Sequence, residues 1–438
     1  MTQTIIPPPP ADAVAVPPRR GSSATAALRE SFSGSPGRLR LIAIGAVVSV
    51  LVSALLGGWA LQMRSSALDR ATSSSEHLLL VQGIQTDLVQ ADADATNAFL
   101  SYGLEPQAQR EGYIKALKSA SADLATAARH SSADADALGQ ANAALTRYSG
   151  YVASARANNR QGLPVGASYL EAASDLMGTS GTEPQEGSVI ALLKQRTDAD
   201  TAAVADAFGT AGNARWLLVL AAVIGVGGLL AVQVLVARHS HRYLNLPTLA
   251  STVVLVVMLA GAAAVMLTAQ TEAADVRSGP LAEASAISDS RVLAFDAKSK
   301  ESLTLINRGS ATAADAQWKA SFNEAADLID TRENSAAAEA LDDYREVHEK
   351  INDLDLDGSW DEAVELATAD GGDSANGLFD QYDNASSTSL APQTDSAVKR
   401  LGEAGNLLLP TGLALLVVGL LCAAGAWRGI SLRLDEYR

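Results

Sequence analysis

The chain has 438 residues, a formal net charge of −16 and a single cysteine. So acidic a chain repels nucleic acid, and one thiol cannot build a disulfide framework. Abundant alanine with few aromatics predicts close-packed helices.

Residues 1–40, with Pro7–Pro10, Pro17 and Pro18, are expected to form a disordered, Pro-rich cytoplasmic lead. Four apolar runs follow, each long enough to cross a hydrocarbon core about 30 Å thick: 41–61, 216–236, 249–268 and 407–426. The basic residues nearest these runs are Arg19, Arg20, Arg29, Arg38 and Arg40 before the first, Arg238 and Arg242 between the second and third, and Arg428, Arg433 and Arg438 after the fourth. By the positive-inside rule these flanks face the cytoplasm, so 62–215 and 269–406 face outward. The expected fold class is an all-α membrane protein with four transmembrane helices and two tandem extracytoplasmic, four-helix-bundle-like domains. The loop 237–248 and the tail 427–438 complete the cytoplasmic surface. Segment 62–215 carries 17 acidic and 12 basic residues and segment 269–406 carries 28 and 11, so most of the negative charge lies in the second.

Within the first outer segment, Val81, Ile84, Leu88, Ala91, Ala95, Ala98 and Tyr102 mark a helical seam. A second seam runs through Leu138, Ala141, Leu145, Tyr148, Val152 and Ala155; Ala337, Leu341, Tyr344 and Ile351 repeat it 196 residues later. His348 takes the place of Val152 and is expected to be structural. Gly162 and Gly358 keep the same offset, which points to an internal duplication. The first-helix seam of the second half is interrupted by polar residues. The expected outer helices are 63–103, 107–130, 133–178 and 188–214, then 269–308, 312–332, 335–370 and 375–406, arranged up and down.

Leu341-x-x-Tyr344, followed by Asp357-Gly358 and Asp361-Glu362-Ala363-x-x-Leu366, resembles the third helix of the bundle sensory domains of chemoreceptors and sensor kinases. The first half keeps Leu145-x-x-Tyr148, Gly162 and Glu171-Ala172. The tandem four-span layout, the length, the Pro-rich lead and the short cytoplasmic tails resemble the actinobacterial GlnX family. That resemblance implies a relay of amino-acid availability from an extracytoplasmic solute-binding lipoprotein to a cytoplasmic serine/threonine kinase.

Chemical motifs are sparse. Asp353, Asp355, Asp357 and Gly358 begin like a calcium loop, but the twelfth position is Val364 rather than glutamate. An acidic helix break is expected instead, with Asp357 or Ser359 capping the restart at Trp360. His239 and His241 have no metal-ligand companions, and Cys422 is expected to be a packing residue. No nucleotide loop or nucleophile motif is present, so neither catalysis nor a cofactor is expected. Candidate cytoplasmic contacts are Arg238, Arg242, Tyr243, Arg433 and Tyr437. Candidate outer docking residues, on membrane-distal loops, are Glu105, Glu183, Glu186, Asp370 and Asp373. Membrane lipid and a second copy of the chain are further expected partners. The alternative is a non-switching scaffold of the cell envelope.

Overall fold

A computed structural model describes residues 35–101, 105–130, 135–181, 185–240, 246–308, 311–330 and 334–435. These form twelve helices: α1 (Ser35–Leu100), α2 (Gln107–His130), α3 (Ala135–Asn159), α4 (Val165–Met177), α5 (Val189–Ser240), α6 (Leu246–Ser278), α7 (Pro280–Ile306), α8 (Ala311–Ile329), α9 (Ser335–Leu356), α10 (Trp360–Thr368), α11 (Ala375–Ala404) and α12 (Leu408–Asp435). The fold is all-α. Four stretches are long and apolar enough to cross a membrane, Arg40–Leu100, Val189–Arg238, Leu246–Ile306 and Ala375–Ser431, and each contains one of the apolar runs expected from the sequence. Residues 1–34 of the Pro-rich lead lie outside the described residues, and residues 35–40, expected to be disordered, instead form the first turns of α1.

The chain divides into two compact units. The first draws on residues 1–56, 220–259 and 415–438. Its described helices meet through small residues. Gly225 and Gly228 lie against Ser53 and Ser49 so closely that a Cβ on either glycine would collide, and Gly419 lies as closely on Ala54. Small residues let apolar helices approach, because lipid tails give no hydrophobic drive to association. Ser53 donates to the Ala221 carbonyl at 2.7 Å and Gln233 to Thr252 at 2.9 Å. Leu55, Val223, Val257, Leu420 and Leu421 remain exposed, as a lipid-facing surface requires.

The second unit comprises residues 57–219 and 260–414. Contacts join its two segments: Gln82 donates to Ser285 at 2.7 Å and to Asp289 at 2.9 Å, and Asn376 donates to Asn97 at 3.1 Å. The core is unevenly built. Small alanines with Leu88, Leu145 and Tyr148 fill the first segment, whereas Trp318, Phe322, Tyr344, Phe379 and Tyr382 pack the second. There Trp318 stacks on Phe322 at 4.5 Å and Tyr344 meets Phe379 edge-on at 5.3 Å.

Several expected single helices are broken, each for a local reason. The stretch 133–178 is α3 and α4, divided around Gly162 at φ 65°, and 335–370 is α9 and α10, divided at Gly358 with φ 82°. Both glycines take the left-handed conformation that ends helices. Ser359 occupies the N-cap of α10, but its hydroxyl makes no capping bond, and Asp357 is the C-cap of α9. Pro280 starts α7 where a continuous helix from 269 was expected; it has no N–H for the preceding turn.

Candidate functional site

Two tyrosines of the repeated seam each find a buried carboxylate. In the first half Tyr148 donates to Asp92 of α1 at 3.2 Å. Ser174, Thr179 and Ser299 also donate to Asp92, at 3.1, 2.5 and 2.8 Å. Asp92 is fully buried among these hydroxyls. Burial raises its pKa above the ordinary carboxylate value, against the lowering effect of the hydroxyl bonds. Because Ser299 belongs to α7, this carboxylate ties the two segments together.

In the second half Tyr344 donates to Glu301 of α7 at 3.0 Å, 196 residues after its counterpart. Here the carboxylate has nitrogen partners. Lys298 donates at 2.7 Å and His348 Nδ1 lies at 2.7 Å, with the imidazole stacked on Trp318 at 3.5 Å. Burial pushes the Glu301 pKa up, but Lys298 and His348 together draw it down to about 2. Thus His348 is a bonded core residue. The same tyrosine position serves a hydroxyl-held acid in one half and an ionised network in the other.

A cavity of about 340 Å³ opens where the ends of α1, α2 and α3 meet. Asn159 holds the ends of α3 and α1 together by donating to the Phe99 carbonyl at 2.8 Å. Arg156 pairs with Glu105 at 2.6 Å and lies over the Tyr113 ring at 4.2 Å. Arg110 and Arg160 also line the cavity and are exposed. A smaller cavity of about 60 Å³ is lined by Asp94, Lys298, Asp380 and Asp383. Burial lifts the Asp94 pKa well above its usual range, and the charges of Asp380 and Asp383 raise it further. Among the described residues no group of three or more His, Cys, Asp or Glu side chains is placed to hold a metal ion.

The sequence-derived candidates distribute unevenly. Glu105 lines the larger cavity, and its charge reaches Asp94. Asp370 acts on Asp380, so these two loop residues bear on one acidic region. Glu186 and Asp373 are exposed, and Glu183 lies outside the described residues. Arg238 is exposed near the end of α5, and Arg433 belongs to α12. Arg242, Tyr243 and Tyr437 lie outside the described residues. Sequence reasoning missed Asp92, Glu301, Arg110, Arg156 and Arg160. The available signal was an acid at helical spacing beside an apolar seam, as Asp92 stands beside Ala91.

Residues 67–209 match the family model of the actinobacterial sensor domain. The match covers α1 from residue 67 onward, α2, α3, α4 and the beginning of α5, and so includes the larger cavity and Asp92. It gives this segment a role in sensing or signalling. Together with four helices apolar enough to span a bilayer, it fits a membrane protein. No protein of curated function matches the chain, and no solved structure does.

Proposed function

We propose that the protein is a GlnX-type transmembrane signalling adaptor, without enzymatic activity of its own. It relays an extracytoplasmic nutrient signal, an amino acid in the first instance, from a solute-binding lipoprotein to a cytoplasmic serine/threonine kinase. Its sensory segments act outside as chemoreceptor-like bundles, and both termini lie in the cytoplasm of a plasma-membrane protein. One observation carries the reading: the sensor-domain segment begins on α1 and ends on α5, and each of these is an unbroken helix containing an apolar span. A packing change in the sensory segment is then transmitted without crossing a loop, as a shift of an ångström or two or a small rotation. The ligand or its carrier need only bias two packing states.

The test is crosslinking and purification of the full chain from its native membrane, with and without acidic amino acids. Capture of an extracytoplasmic binding protein and a kinase, varying with amino acid, is the expected result. Capture of envelope structural proteins alone, at good yield and unaffected by amino acids, overturns the relay in favour of a static scaffold.

A further inference from the structure

We infer that the cavity at the ends of α1, α2 and α3 binds a small organic dicarboxylate directly. The inference rests on the sensing role proposed above and assigns that role a ligand class.

The first ground is charge. Three guanidinium groups, from Arg110, Arg156 and Arg160, line one cavity with a single carboxylate, Glu105, in a chain whose net charge is −16. Arg156 already holds Glu105, and both are mostly buried, with 22% and 19% of their side chains exposed. Arg160 uses its Nε on the Arg156 carbonyl at 3.4 Å, and no carboxylate among the described residues pairs with Arg160 or Arg110. The cavity therefore presents two cations to solvent beside a third that is fixed in place.

The second ground is the position of Arg110. It lies in the first turn of α2, a turn with no acidic residue. The positive end of a helix dipole disfavours a cation there and favours an anion. A carboxylate between this helix end and Arg110 reverses an unfavourable arrangement.

The third ground is shape and surface. A volume of about 340 Å³ lies at the lower end of the range for ligand sites, roughly 300–1,000 Å³, which fits a compact molecule. Ala98, Phe99 and Ala153 give the cavity an apolar side, suited to a carbon skeleton and of no use to inorganic phosphate. Guanidinium forks match carboxylates in plane and spacing. Two carboxylates on a short chain would engage Arg110 and Arg160 and draw the ends of α2 and α3 towards α1.

The test uses the full chain in lipid nanodiscs at low salt, titrated calorimetrically with glutarate, butyrate, glutaramide and inorganic phosphate. Glutarate is expected to bind at least about tenfold tighter than the other three, a difference of about 1.4 kcal/mol. The Arg110→Gln/Arg160→Gln double variant is expected to lose at least about tenfold in glutarate affinity while its unliganded unfolding temperature is not lowered, since both side chains are exposed. No saturable glutarate binding, or equal binding by the double variant, overturns the assignment. Tighter binding of phosphate makes the cavity an inorganic-anion site and also overturns it. Partner capture measured on the same nanodiscs separates the two proposals: capture without glutarate binding removes the cavity ligand alone, and glutarate binding without capture removes the relay alone.

Discussion

At the residue scale, Asp92 and Glu301 show how one repeated tyrosine position supports two electrostatic solutions. Glu301 is ionised because Lys298 and His348 face it, and Lys298 itself is only 4% exposed. Removing the acid strands a buried ammonium, so Glu301→Gln is expected to lower stability by about 3–5 kcal/mol. Adding Lys298→Met should recover part of that loss, because the buried ammonium that faced Glu301 is then gone. Asp92 faces hydroxyls only, and burial raises its pKa. A hydroxyl can turn to accept from an amide, so Asp92→Asn is expected to cost only about 1 kcal/mol. Thermal unfolding of the purified full chain at neutral pH measures all three. Equal costs for Asp92→Asn and Glu301→Gln would contradict the contrast.

At the element scale, the helix breaks at Gly162 and Gly358 are backbone features without steric crowding. Neither glycine has any atom within 4 Å of the position a Cβ would take, and their φ values are 65° and 82°. Alanine at either site is therefore expected to destabilise by about 1–2 kcal/mol through the left-handed backbone alone. Gly150 supplies the control. It lies inside α3 with equally open space around it, and Gly150→Ala is expected to stabilise by roughly 0.5–1 kcal/mol. Denaturant melts of the three variants decide this; destabilisation at Gly150 would mean the cost elsewhere is not specific to a left-handed backbone.

At the scale of the whole molecule, acidic groups from both segments of the second unit meet around the smaller cavity. Asp94 of α1 faces Asp380 and Asp383 of α11, and Glu105 also raises its pKa, while Arg156 lowers it. Lys298 lines the same cavity, and Asp383 pairs with Arg291 at 2.6 Å. Asp94 and Asp380 both titrate above their ordinary 3.8 in the folded chain. The folded state then binds more protons than the unfolded one above pH 3.8, so stability rises as pH falls from neutrality through their raised values. Glu301 has the opposite sign: its contribution is complete above its ordinary 4.5 and is lost as pH falls towards about 2. The unfolding temperature is expected to peak in mildly acidic buffer. In Asp94→Asn the rise on the acid-going side should be smaller and the low-pH loss unchanged. An identical profile in the variant would show that Asp94 does not carry that rise.

What the sequence determined by itself follows from local, periodic or additive properties. The four apolar runs, the repeated Leu-x-x-Tyr seam and the glycine at a constant offset are visible because span length, helical period and left-handed backbone each leave a mark on neighbouring residues. The polar interruptions in the second-half seam also had a cause, since Lys298, Lys300 and Glu301 are buried on α7 and pair there: Glu301 with Lys298 and Tyr344, and Lys300 with Asp296 at 2.5 Å. Pairing partners far apart in the chain leave no periodic mark, so only the tertiary structure decided that Ser299 reaches Asp92 and that Asn97 meets Asn376. It also decided that Arg110, Arg156 and Arg160 share one cavity, because that depends on where the ends of three helices come together in space.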